Sequence, residues 1–148
     1  MRVPVPWVFV LTYVLGVGLE STPSSRIRPE AALVSTVVGS VLFAAGAVLA
    51  GWGLVIFRKA RTTTVPGKAS AKLLTWGPYR FTRNPMYVGL TLAYLGEAGL
   101  LKQVWPVVLL PLTIAYLQWT VIPVEEAKLT EVFRGEYEQY RSRVRRWI

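Results

Sequence analysis

Four long apolar runs separated by short polar intervals organise this chain, at about 3–19, 31–57, 86–101 and 104–122. A helix needs about 20 predominantly apolar residues to cross a hydrocarbon core of about 30 Å. The second run is ample and the fourth adequate. The third is short, so it is expected to begin at the interface or to lean on its neighbours. The first run reads either as a span or as a signal peptide, with Arg2 as the charged region and Gly16-Val17-Gly18 near a cleavage site. Pro4 and Pro6 at its start, and the lack of a clear small-x-small site after it, favour a retained span.

The pattern changes after Pro123. Leu129, Phe133, Tyr137, Tyr140, Val144 and Trp147 recur at steps of three and four, which is one face of a helix. Lys, Arg and Glu fill the other face. This predicts an amphipathic helix on the cytoplasmic leaflet, its arginines near lipid phosphates and Gly135 loosening it midway. Glu125 and Glu126 open that helix, where acids complement the helix dipole. The fold class is therefore all-α integral membrane: about four transmembrane helices plus a C-terminal amphipathic cytoplasmic helix, forming one domain over residues 1–148.

Small residues mark the packing faces. Ala32, Gly39, Gly46 and Gly53 repeat every seven positions in the second run, and Gly89, Ala93 and Gly96 form a similar stripe in the third. Such stripes let neighbouring backbones approach closely. Gly51 and Gly53 also make a Gly-x-Gly, but no strand precedes it and no βαβ unit surrounds it, so a nucleotide loop is not indicated.

Composition and charge sharpen this picture. Hydrophobic residues make up 53% of a chain that also carries 17 Lys and Arg against 8 acids. The charge sits between the apolar runs rather than along them. The interval 58–83 holds seven Lys or Arg and no acid, and the segment from Lys128 holds six. Both are expected on the cytoplasmic side, facing an anionic membrane surface, because positive charge in short loops is retained there. Nothing points to nucleic acid. The absence of Cys, His and Asp leaves glutamates as the only good protein ligands, so no metal site is expected.

The most informative stretch covers residues 77–89, Gly-Pro-Tyr-Arg-Phe-Thr-Arg-Asn-Pro-Met-Tyr-Val-Gly. Arginine and tyrosine where an apolar helix begins serve as an interfacial anchor. The same residues also suit a polar, partly anionic cofactor held at a membrane surface. A second motif follows about 40 residues later, Glu-Glu-Ala-Lys-Leu-Thr-Glu-Val-Phe-Arg-Gly-Glu-Tyr-Glu-Gln-Tyr, from Glu125. In this order around a transmembrane hairpin, the two resemble the isoprenylcysteine carboxyl methyltransferase family and the related phospholipid N-methyltransferases, which share Asn-Pro-Met-Tyr. The likeness covers roughly 58–147, including Thr62-Thr63-Thr64-Val65-Pro66.

That resemblance implies an integral membrane methyltransferase that uses S-adenosylmethionine, lacks a Rossmann fold and methylates a lipid-like or isoprenylated acceptor drawn from the bilayer. It implies that Tyr79, Arg83, Asn84, Pro85 and Tyr87 line the cofactor site from one side. Glu125, Glu126, Tyr137 and Tyr140 would close it from the other, with Arg83 and Glu126 as the catalytic pair. A guanidinium suits the cofactor's carboxylate, a carboxylate its ammonium, and a tyrosine wall its adenine. The eukaryotic carboxyl methyltransferases have His where this chain has Asn84, which counts against carboxyl methylation of prenylated tails. Without His, Asp or Cys, a general base must be a glutamate, a tuned Lys or a Tyr. An acceptor arriving as an anion or free amine needs no strong base, since positioning and desolvation supply most of the acceleration. Two other readings stand beside this one: a membrane sterol-type reductase using NADPH, and a small four-helix transporter built around Glu97, an acid inside the third run.

Overall fold

The computed structural model describes residues 4–20, 31–60 and 72–148, so the Thr62–Pro66 stretch lies outside the described residues. Every element among them is helical: α1 (Val5–Leu19), α2 (Ala32–Lys59), a 3-10 turn (Gly77–Arg80), α3 (Pro85–Leu100), α4 (Trp105–Tyr116), a π-helical turn (Leu117–Val121) and α5 (Ile122–Arg143). Two helices are long and apolar enough to cross a membrane, α2 and the continuous run Trp105–Arg143. At 15 and 16 residues, α1 and α3 fall below that length.

The two small-residue stripes interlock. Gly39, Gly46 and Gly53 are the buried glycines of α2. A Cβ at Gly39 would lie 2.8 Å from the carbonyl oxygen of Gly96, and one at Gly89 would lie 2.6 Å from the backbone nitrogen of Ala50. At Gly46 it would run into the backbone of Ala93, and at Gly96 into that of Phe43. With no Cβ in the way, backbone meets backbone, and the Ser35 hydroxyl donates across to the Gly99 carbonyl at 2.7 Å. Packing of this kind holds helices together where lipid tails compete for apolar surface. The opposite face of α2 exposes Leu33, Val34, Val37, Val41, Val48 and Val55.

On the other side, α1 packs against α4. Phe9, Tyr94, Leu110 and Leu117 are among the buried residues of one apolar cluster, and the Tyr13 and Tyr94 rings meet edge-on at 4.9 Å. The Thr113 hydroxyl donates to that of Thr12 at 3.0 Å. The Glu20 carboxylate accepts from the backbone nitrogens of Val104 and Trp105 at 3.2 and 3.1 Å. It thereby satisfies donors that the first turn of α4 leaves open.

The C-terminal region departs from expectation in two ways. No new helix opens after Pro123: the chain runs on from α4 through the π turn into α5. Proline has no N–H for the carbonyl four residues back, and a π turn just before it accommodates that missing bond. Glu125 and Glu126 are therefore not the start of a separate helix. The expected weak point at Gly135 falls one residue earlier, at Arg134, whose φ of 43° and ψ of −118° kink α5.

The α2–α3 interlock makes a direct prediction. Gly46→Leu drives a side chain into the Ala93 backbone, where overpacking costs about 1–3 kcal/mol or more, and it should lower the thermal midpoint of the detergent-solubilised protein. Gly51→Ala, with nothing within 4 Å of the new methyl, should leave the midpoint unchanged or raise it slightly.

Candidate active site

The segment before α3 is pinned to the C-terminal end of α2. Leu74 and Tyr79 bury themselves with Ile56, and Phe57 and Ala60 pack around them. Gly77 has a φ of 62°, where a side chain would be strained, and a Cβ there would sit 2.6 Å from the Ile56 methyl. This tight corner turns the chain so that Tyr79 lies 6% exposed and Arg83 faces inward. Asn84 then starts α3: its carbonyl accepts from the backbone nitrogens of Tyr87 and Val88, both at 3.0 Å. Pro85 is the first helical residue, a position where its missing N–H costs nothing.

At the centre of the site one carboxylate meets two guanidinium groups. Glu126 Oε1 lies 2.9 Å from Arg83 Nη1, with the two side chains 12% and 11% exposed. Arg146 grips the same carboxylate with both edges of its fork, Nε to Oε1 at 3.0 Å and Nη2 to Oε2 at 2.6 Å. These bonds hold the Arg146 guanidinium above its ordinary pKa. Arg83 Nη1 also donates to the Tyr137 hydroxyl at 3.2 Å. Its Nε is buried and has no partner among the described residues. A buried guanidinium N–H calls for an acceptor, since buried donors are rarely left unpaired.

The tail makes this arrangement possible. Val144 leaves the helix in an extended conformation, and residues 145–147 fold back over the motif. The Arg145 carbonyl accepts from the Arg83 backbone nitrogen at 2.9 Å. The Arg146 carbonyl accepts from Asn84 Nδ2 at 2.8 Å and from the Thr82 hydroxyl at 3.2 Å. Trp147 Nε1 donates to Gln118 at 2.9 Å, tying the tail to the π turn.

Glu125 occupies a neighbouring position of different character. The Tyr87 hydroxyl donates to its Oε1 at 2.7 Å. Burial pushes the Glu125 carboxyl up to about 7, the Tyr87 bond opposing the shift and the Glu126 charge adding to it. A carboxyl that titrates near neutrality is poised to accept a proton. Around the site, burial raises the phenols of Tyr79, Tyr137 and Tyr140 above their ordinary value, so all three remain hydrogen-bond donors. The Tyr140 hydroxyl donates to the Tyr79 carbonyl at 2.8 Å.

Four contacts thus join the two motifs: Arg83 to Glu126, Arg83 to Tyr137, Tyr87 to Glu125, and Tyr140 to the Tyr79 backbone. Asn84 reaches the tail instead of the second motif, and Pro85 shapes the helix start without a polar role. The residue that the sequence reading missed is Arg146. Expected near lipid phosphates, it points inward onto Glu126, because a buried carboxylate attracts a guanidinium more strongly than a hydrated headgroup does. The available signal was Trp147, the last member of the apolar face, which pulls the tail inward. Glu97, on which a transport reading rests, is exposed near the end of α3.

A sequence model of the phospholipid methyltransferase family matches residues 34–136. No curated protein and no solved structure matches the chain.

Because Glu126 neutralises two cations, its removal should be felt well beyond one lost contact. Breaking a fully buried ion pair costs about 3–5 kcal/mol. Arg146 is 27% exposed, so solvent screening reduces the expected loss for Glu126→Gln to about 2–3 kcal/mol. That loss should appear as a lowered thermal midpoint in detergent, with a smaller drop for Arg146→Gln, which leaves the Arg83 pair in place.

Proposed function

Because the chain belongs to the phospholipid methyltransferase family, we propose that it is an integral membrane enzyme that transfers a methyl group from S-adenosylmethionine to an amine on a phospholipid headgroup. The observation that carries this reading is the convergence of Arg83, Glu125 and Glu126 into one buried site from motifs about 40 residues apart. In this reading the four apolar segments form a membrane bundle. The basic interval 58–83 and the segment after Lys128 lie on the cytoplasmic side, where their positive charge is favoured.

The residues fit an amino-acid zwitterion. The open Arg83 Nε would hold the cofactor's carboxylate, and Glu126 its ammonium, so that charges alternate from Arg146 through Glu126 to Arg83. Tyr137 and Tyr140, with ring centroids 6.3 Å apart, offer an aromatic wall for the adenine. When bound, S-adenosylmethionine supplies a methyl group already activated by its positive sulfur. The chain's own contribution is positioning, exclusion of water and removal of one proton. A headgroup amine arrives largely as ammonium and must lose a proton to become a nucleophile, and Glu125 accepts it. The Tyr87 hydroxyl holds that carboxylate in place. Asn84 has no ionisable group and serves to hold the tail. This division of labour favours an amine acceptor over the carboxylate of a prenylated protein, and the acid Glu97 has no part in it.

The proton-acceptor role gives the test. Purified protein in mixed micelles, incubated with methyl-labelled S-adenosylmethionine and phosphatidylethanolamine, should place label in the lipid. The rate should rise with pH through about 7, because below that value Glu125 is protonated and cannot accept a proton. Glu125→Gln should remove this rise and lower the rate roughly a hundredfold or more, the usual range for general-base loss. Label in no lipid at any pH, together with a thermal shift on adding NADPH, would favour the reductase reading instead.

A further inference from the structure

A second space lies beside Tyr140, apart from Arg83 and Glu126. It is a cleft of about 580 Å³ whose lining includes Leu73, Arg80, Glu136, Tyr140, Arg143 and Val144. Its two arginines come from different elements, Arg80 from the 3-10 turn and Arg143 from the last turn of α5. Among the described residues neither is in an ion pair, and nor is Glu136. Two guanidinium groups that line one shared space, neither of them in an ion pair, suit an external phosphate, which their planar forks match. Glu136 limits the charge: among the described residues, two cations and one anion leave one net positive charge in the lining. That balance pairs with a singly charged phosphodiester better than with a doubly charged phosphomonoester.

The cleft also sits at the right depth. Leu74 and Tyr79, within the segment that forms one wall, pack onto Ile56 in the last turns of α2. At about 1.5 Å per residue α2 is about 42 Å long, so it carries its end beyond a hydrocarbon core of about 30 Å. Trp52 and Trp76 are exposed near the same level, as expected of aromatic side chains at a membrane–water boundary. Leu73 and Val144 supply apolar surface at the cleft, suited to the glycerol end of a lipid. Tyr140 is shared: it lines the cleft and its ring lies beside that of Tyr137, the tyrosine bonded to Arg83.

We propose that this cleft is the acceptor subsite, in which Arg80 and Arg143 hold the phosphodiester of a membrane phospholipid while its amine extends past Tyr140 toward the methyl-transfer site. The assignment rests on the methyltransferase reading for its purpose, but its binding chemistry can be measured without turnover.

The test titrates a short-chain diacyl phosphatidylethanolamine, below its micelle concentration, into the detergent-solubilised protein by calorimetry. The unmodified chain, Arg80→Gln, Arg143→Gln and the double variant are compared, each also titrated with S-adenosylhomocysteine. Each single substitution should weaken phospholipid binding roughly three- to tenfold and the pair by more than tenfold. Affinity for S-adenosylhomocysteine should stay the same, which also reports an intact fold. A long-chain amine of equal apolar size but without phosphate should bind all four proteins alike, and inorganic phosphate should not displace the phospholipid. Equal phospholipid affinity in the unmodified and double-variant proteins overturns the assignment. So does a matching loss for the phosphate-free amine, or complete displacement by inorganic phosphate, which would make the cleft a site for the free ion. Phospholipid binding lost on substitution, in a protein that binds no S-adenosylhomocysteine, leaves the subsite standing and contradicts the methyltransferase reading.

Discussion

Glu126 holds a carboxylate 12% exposed between the guanidinium groups of Arg83 and Arg146, and the geometry of this whole end of the molecule follows from the need to keep it paired. An uncompensated buried charge is costly, and one bound on both oxygens by charge-assisted hydrogen bonds is stable. Arg83 comes from the segment before α3, Glu126 from α5 and Arg146 from the tail beyond it. Pairing them obliges three stretches of chain to meet. The hydrogen bonds that the Arg145 and Arg146 carbonyls accept from Arg83, Asn84 and Thr82 then fix the tail across the motif. The site is closed by the chain's own tail rather than left as an open groove.

That meeting point depends in turn on the α2–α3 interlock. Gly39 and Gly46 on one helix and Gly89 and Gly96 on the other set how close the two backbones lie and at what register. The register decides where α3 begins relative to the end of α2, and so where Arg83, Asn84 and Pro85 stand. Gly53 continues the stripe to the site itself, where a Cβ would press on the Met86 side chain at 2.8 Å. Packing in the apolar region and charge pairing at its edge are thus two ends of one arrangement.

Much of this was legible in the sequence, because apolar length and periodicity record long-range burial directly. The segments at 31–57 and 86–101 became α2 and α3 within a residue or two, and the glycine stripes marked the faces that meet. The two motifs identified the residues that converge, since Arg83, Tyr87, Glu125, Glu126 and Tyr137 are charged or aromatic at positions where an apolar helix gives no reason for them. Other features left no local trace. The unbroken helix across Pro123 depends on a π turn that no single residue announces, so the paired glutamates looked like a helix start. Arg146 sits in a run of basic residues that reads as a solvated face. Only the folded tail distinguishes it from Arg145, whose contribution is a backbone carbonyl.

In the proposed function Arg83 and Glu126 act as one unit in one cofactor site, and a double-mutant cycle tests this. Affinity for S-adenosylhomocysteine would be measured for the unmodified chain, Arg83→Ala, Glu126→Gln and the double variant. If the two side chains hold opposite ends of one ligand while pairing with each other, their losses should not add, and a coupling of about 1–3 kcal/mol should remain. Losses that sum to within about 0.5 kcal/mol, the behaviour of independent positions, would contradict the account and leave the Arg83 stretch as an interfacial anchor.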